Sequence, residues 1–335
     1  MAPEILFGLW LYATLEGVGS ARALARLTQE HDAYRWICGG VSVNDHTLAD
    51  FRSAPGETFD ALLTERVAVL LAEGVVSLKR VAQEGLRVRA SAGAAAFRRG
   101  ATLEACLEQE RVERALKRRP ERAEIKAKPG KPRAPARVAT TAAEATVMKM
   151  ADGGYRPADN GPFASDTAAQ VVVGVEAVGV GTDTAPLTPR VEQVETRYGQ
   201  STQEGLVDGG YPAHAQLDQA AEHTTVYAPV PKAQDPDPDP HAPKEGDRAA
   251  VGAWRERLGT EEAKAIYQER AATAEGVNAQ ARERGLTRLR VRGTAKVRCV
   301  LLLHALAHHL MRTLAVAPHR LGYGRGASAE TAMAT

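Results

Sequence analysis

The run Glu204-Gly-Leu-Val-Asp-Gly-Gly-Tyr211 constrains the fold more than any other part of the chain. Its apolar stretch ends in an acid and then two glycines, so Asp208 sits where a strand runs out into a tight turn. Roughly 60 residues downstream, Tyr267, Arg270 and Glu275 share about two turns of a helix. A carboxylate at a strand end and a second on a later helix form an economical holder for a divalent metal facing a phosphodiester.

Around these anchors the patterning alternates between helix and strand. Residues 4–80 carry helical periodicity, with Leu6, Leu9, Trp10 and Ala13 on one stripe and Asn44 or Asp45 placed to cap a helix opening near His46. Residues 79–90 read as a short strand whose second half alternates. Residues 95–140 read as a basic helix followed by a Pro/Lys linker that cannot continue it. Two strands then follow, 156–165 and 170–178, joined by Asp166-Thr-Ala-Ala. A helix over 187–198 leads into the strand that ends at Asp208. A Pro/Asp tract over 229–243 reads as an extended loop. Helices over 248–259, 261–284 and 295–314 complete the chain. The order describes a mixed α/β fold with a helical N-terminal appendage.

With 335 residues, 44% of them hydrophobic, the chain can bury a sizeable core and is long enough for two domains. The formal net charge is only +2, yet the cations are segregated into residues 111–137 and 282–298. Localised basic stripes on a near-neutral chain point to a polyanionic partner. The three cysteines, Cys38, Cys106 and Cys299, have no metal-type spacing, and a reducing compartment is expected. The apolar stretches 5–15 and 300–306 are too short to span a bilayer, so no membrane partner is expected. His304, His308 and His309 include an i, i+4 pair, but Ala305 stands where the zinc-protease pattern needs Glu.

Several segments together resemble the bacterial insertion-sequence transposases of the DDE superfamily. They are Gly39-Gly-Val-Ser-Val-Asn-Asp-His-Thr-Leu-Ala-Asp-Phe-Arg52, Met148-Lys-Met-Ala-Asp-Gly-Gly-Tyr155, Leu206-Val-Asp-Gly-Gly-Tyr211, the Tyr267/Arg270/Glu275 helix and Arg290-Val-Arg-Gly-Thr-Ala-Lys-Val-Arg298. The resemblance covers nearly the whole chain and rests on the order of these segments. It implies a ribonuclease-H-like catalytic domain in which three carboxylates hold two magnesium or manganese ions for DNA cleavage and strand transfer. Asp208 is then the second acid and Glu275 the third. The first acid belongs on the first strand, where the family usually has Asp-Gly and this chain reads Glu84-Gly. Asp166, at the later hairpin turn, is the alternative.

The resemblance further implies DNA contacts from Lys117, Arg118, Arg119, Arg270, Arg282, Arg290 and Arg292, a homo-oligomer on DNA, and a cytoplasmic, nucleoid-associated location. The implied organisation is an N-terminal helical domain over 1–78, incomplete at its start, and a first catalytic strand over 79–92. A basic insert over 93–142, the remaining catalytic domain over 143–318 and a disordered tail over 319–335 follow. A catalytically impaired remnant that only binds DNA or oligomerises is the alternative function.

Overall fold

The structure, a computed structural model, describes residues 1–92, 97–98, 138–139, 142, 144–177, 188–209, 214–231 and 239–322. The basic segment with Lys117, Arg118 and Arg119, the Pro/Lys linker, Tyr211 and most of the tail lie outside the described residues.

Five helices open the chain: α1 (Pro3–Leu15), α2 (Ala21–Glu30), α3 (Asp32–Ile37), α4 (Asp45–Ser53) and α5 (Gly56–Ala72). Short polar side chains start α2 and α4 by accepting from free backbone N–H groups. Ser20 Oγ accepts from Ala23 N, and Asn44 Oδ1 accepts from His46 N at 2.7 Å, which settles the cap of α4. The strands are β1 (Arg80–Glu84), β2 (Arg87–Arg89), β3 (Phe97–Arg98), β4 (Val138–Ala139), β5 (Thr146–Lys149), β6 (Tyr155–Asn160), β7 (Phe163–Asp166), β8 (Val172–Val175), β9 (Glu204–Val207) and β10 (Thr225–Tyr227). Between and after them come α6 (Thr188–Tyr198), α7 (His214–Ala221), α8 (Ala249–Gly259), α9 (Glu261–Arg270), a π turn (Ala271–Glu275), α10 (Gly276–Glu283) and α11 (Thr294–Val316).

The main sheet has the order β10-β9-β1-β7-β8. β1 runs antiparallel to β7 and parallel to β9, and β9 runs parallel to β10. The last parallel pair is Gln83↔Val207. Glu84 and Asp208 therefore leave the sheet side by side, one residue further on, from strands about 5 Å apart. A second sheet, β2-β6-β5, continues the antiparallel ladder of β1 and β7: Glu84 faces Phe163, and after a break Arg87 faces Asn160.

That break corrects two expectations. Residues 79–90 form two strands in two sheets, and so do residues 156–165. Gly85-Leu86 and Gly161-Pro162 lie opposite each other at the bend, where Gly161 N donates to Leu86 O at 2.9 Å. Proline cannot donate to a ladder. Gly161 has no space for a side chain, because a Cβ there would stand 2.6 Å from Leu301 Cδ1 of α11. Leu301 is fully buried and has little room to retreat. Gly161→Ala is expected to cost about 1–3 kcal/mol, read by urea unfolding. Combining it with Leu301→Ala should cost less than the sum of the two. Additive costs would show that the contact does not fix the bend.

The N-terminal helices are no appendage. Leu9, Trp10, Leu24, Leu48, Phe59 and Leu63 share one core with Phe163, Val172 and Val175 of the sheet and Leu301 and Leu302 of α11. α11 is long and apolar enough to cross a membrane by length and composition, but half of that stretch is buried inside the protein. His308 Nε2 and His309 Nε2 lie 2.7 Å and 2.6 Å from the carbonyls of Gln170 and Val172, which ties α11 to β8. Polar contacts to backbone carbonyls account for this histidine pair.

Candidate functional site: three carboxylates on one guanidinium

Arg80, at the start of β1, fixes the helix that completes the site. Its guanidinium pairs with Glu204 of β9 at 2.7 Å and with Glu269 near the end of α9. The next residue is Arg270, which is nearly buried. Its Nε donates to the Tyr267 hydroxyl at 3.0 Å. Its terminal nitrogens stand 3.6 Å from Glu84 Oε2, 3.9 Å from Asp208 Oδ1 and 3.5 Å from Glu275 Oε1. Residues from a strand end, a neighbouring strand end and a helix thus surround one cation.

The π turn makes this possible. Five residues of regular α-helix rotate by about 500°, which would leave Arg270 and Glu275 roughly 140° apart. A π turn takes in one more residue before it closes, so the pair returns towards one face. The expected helix over 261–284 is therefore present but interrupted at Ala271–Glu275. Gln170 Nε2 donates to the Ala272 carbonyl within the turn at 3.3 Å. This satisfies a backbone acceptor and presses the turn against the sheet.

Glu84 is the least solvated of the three acids. Burial pushes its carboxyl above the usual range, Arg270 pulls it back, and Glu275 and Asp208 add to the rise. Its Oε2 is buried without a hydrogen-bond partner, as is Arg270 Nη1. A buried carboxylate oxygen whose near neighbour is a guanidinium rather than a hydrogen-bond donor in range, beside two other carboxylates, belongs to a set of hard oxygens that suits magnesium or manganese. The guanidinium now stands among the acids. Among the described residues, no three His, Cys, Asp or Glu side chains stand close enough to hold an ion together.

Asp166 lies elsewhere. It pairs with Val81, at the other end of β1 from Glu84. It is fully buried, and its carboxylate accepts from Ser77 N and Oγ, Leu78 N and Ala169 N. It ties the chain entering β1 to the β7–β8 turn. The alternative assignment of Asp166 as first acid is therefore corrected: every oxygen is already occupied by protein donors. Asp166→Ala leaves those donors unpaired and is expected to lower stability by about 3 kcal/mol or more, measured by urea unfolding. A loss below about 1 kcal/mol would contradict this anchoring role.

A cleft of about 560 Å³ opens beside the acids, with Glu84 and Asp208 in its lining. The rest of its wall includes Arg87 and Arg89 of β2, Lys149 and Arg156 of the β5–β6 hairpin, and Arg282 of α10. Arg282, expected from the resemblance to contact DNA, lines this cleft. Of the other expected contacts, Arg292 donates to Ser91 O, and Arg290 lines a separate small pocket with Arg52 and Trp10. The four cations of the second sheet were missed. Their signal was the alternation Arg87-Val-Arg89, which places both arginines on one face of a strand.

Residues 245–314 match the family model of the transposase DDE domain. The matched segment runs from α8 into α11 and contains Arg270, Glu275 and Arg282 of the site. It supports a DDE-type transposase, a class with nuclease and polynucleotidyl transferase activity that depends in general on divalent metals. Glu84 and Asp208 lie outside the match to the DDE domain. No curated protein and no solved structure matches the chain.

Proposed function

We propose that this chain is a transposase that cuts and joins DNA through Glu84, Asp208 and Glu275, carried on a ribonuclease-H-like sheet. One observation carries the reading: three acids from distant parts of the sequence meet at one guanidinium, and one of them lies in the segment matched to the DDE domain. The strand order supports it, with the first acid at the end of the central strand before the antiparallel hairpin and the second on its parallel neighbour. The domain limits expected from the sequence, action on insertion-sequence ends, assembly as a homo-oligomer on DNA and a cytoplasmic location belong to the same proposal.

Glu84, Asp208 and Glu275 would hold two magnesium or manganese ions. Such ions, when bound, activate the attacking oxygen and stabilise the leaving one during in-line displacement at phosphorus. The chain's own residues bind and orient the substrate. Arg282 stands in the cleft wall where it meets a phosphate, and Tyr267 holds Arg270 Nε so that its terminal nitrogens face the acids. In cleavage, water attacks phosphorus and the bond to the 3′ oxygen breaks, leaving a 3′-hydroxyl. In strand transfer that 3′ oxygen, giving up its proton, bonds to a target phosphorus. The target's own bond from phosphorus to its 3′ oxygen breaks, and that oxygen takes a proton and leaves as a 3′-hydroxyl.

The test is plasmid nicking with magnesium and with manganese. Glu84→Asp restores the shorter acid usual in the resembling family and is expected to raise the rate, because metal geometry is sensitive to small displacements. Glu84→Ala is expected to abolish it. Equal rates in both variants and the parent chain would remove Glu84 from the site.

A further inference from the structure

We infer that the second sheet, through Arg89 of β2 and Lys149 of β5, is a phosphate rail that guides one DNA strand to the carboxylates. The inference rests on the proposed DNA chemistry and extends it to a surface outside the segment matched to the DDE domain.

The geometry begins at the bend in the ladder. Because β1 ends at Glu84 and the chain turns through Gly85-Leu86 into β2, the acid and the two arginines of β2 lie on consecutive parts of one cleft wall. β6 runs beside β2, and β5 beside β6, so the hairpin carries Lys149 and Arg156 into the same wall. A backbone bridge between Arg89 and Arg288 holds β2 against the segment leading to α11, with Leu289 N donating to Arg89 O at 2.7 Å. The rail is therefore part of the packed framework.

The charges are unequally satisfied. Arg156 pairs with Asp152, and Arg87 donates to the Lys149 carbonyl. Among the described residues, the side chains of Arg89, Lys149 and Arg282 make no ion pair within 4.0 Å, although all three line the cleft and Arg89 and Arg282 feel the charges of Asp152 and Glu84 at longer range. The lining includes five cations against Glu84, Asp208 and Asp152. Cations without a close counter-ion in a cleft that also holds Glu84 and Asp208 fit a polyanion that lies on the cations and presents one phosphate to the acids. A chain of phosphodiesters has that form. A mononucleotide has the same phosphate chemistry, and competition separates it from a strand.

Fluorescence anisotropy with a labelled single-stranded 20-mer, in EDTA and across a salt series, tests the rail without metal or catalysis. Each phosphate contact to a single strand contributes about 0.7 to the slope of log affinity against log salt. Arg89→Ala with Lys149→Ala is expected to reduce that slope by about 1.4 and to weaken binding about 25-fold at 0.1 M salt. Arg26→Ala, on the exposed face of α2, should change neither. If circular dichroism shows that the double variant disturbs β2, Lys149→Ala alone should reduce the slope by about 0.7. Wild-type affinity and slope in these variants, while the parent chain binds, would overturn the rail and leave the DNA reading intact. Failure of the parent chain to bind at low salt would overturn the DNA reading. Competition by a mononucleotide as strong as by the oligonucleotide would also overturn the rail and mark a small-molecule pocket.

Discussion

Asp208→Asn and Glu275→Gln are each expected to lower metal-dependent nicking of a supercoiled plasmid by about a hundredfold or more, with DNA affinity nearly unchanged. Each substitution keeps size and shape and removes one negative oxygen from a cluster whose members all lie within 3.9 Å of Arg270. No neutral side chain replaces a carboxylate as a ligand for a hard cation. The basic wall is untouched, and removing an acid lessens repulsion of the phosphates. Nicking rates and anisotropy on the same preparations give both readouts. Full activity in either variant would exclude that residue as a metal ligand, and lost DNA binding in both would assign the acids a structural role.

The second large effect is on stability. His308 and His309 are almost wholly buried, and burial, opposed by their hydrogen bonds to the Gln170 and Val172 carbonyls, pushes each imidazole from 6.5 down to about 4. Arg284 and Arg312 lower His308 further, and His308 and Arg66 lower His309. In the unfolded chain both rings take up protons near pH 6.5, while in the folded chain they resist until about pH 4. Between those limits the unfolded state holds more protons, so stability falls as pH falls. The contribution is fully present above about pH 6.5 and is lost on the way to pH 4. A shift of this size corresponds to about 3 kcal/mol for each ring, against a total of about 5–15 kcal/mol for a typical domain. Urea unfolding from pH 7.5 to 4.5 should show a steep loss, and His308→Gln with His309→Gln should reduce it, the remainder coming from His304, which burial and Arg284 push down to about 3. A profile that is flat in the parent chain would contradict the burial of these rings.

The helices and the acid at the end of β9 were legible because periodicity and an Asp-Gly-Gly terminus are local signals. Asn44 could be read as a cap, and 204–208 as a strand running into a turn, without any knowledge of neighbours. The bend at Gly85 and Gly161 was not legible. It depends on Leu301, which lies in contact but about 140 residues away from Gly161 in the chain. Likewise Asp166 resembled a turn residue, and only the approach of Ser77 and Leu78 shows where its oxygens are used. The shared core of the N-terminal helices escaped the sequence reading for the same reason: an amphipathic stripe records that a face is buried, not what buries it. The cations of the cleft were visible as residues but not as a set, because three strands had to be placed before Arg89 and Lys149 could share a wall.

The extra residue in the Ala271–Glu275 turn has a consequence for how this helix tolerates change in length. Deleting Thr273, a buried residue of the turn, would let the turn relax into ordinary helix and keep α10 intact. The same deletion would leave Glu275 four helical positions from Arg270, about 40° away and on the same face. Glu275 would stay beside Arg270, and Arg282 in the cleft wall, whereas regularising the turn with Thr273 retained would put Arg270 and Glu275 roughly 140° apart. Five residues with the π turn and four without it thus present the same arginine and acid on one face, and a search pattern written for one spacing would pass over copies that use the other.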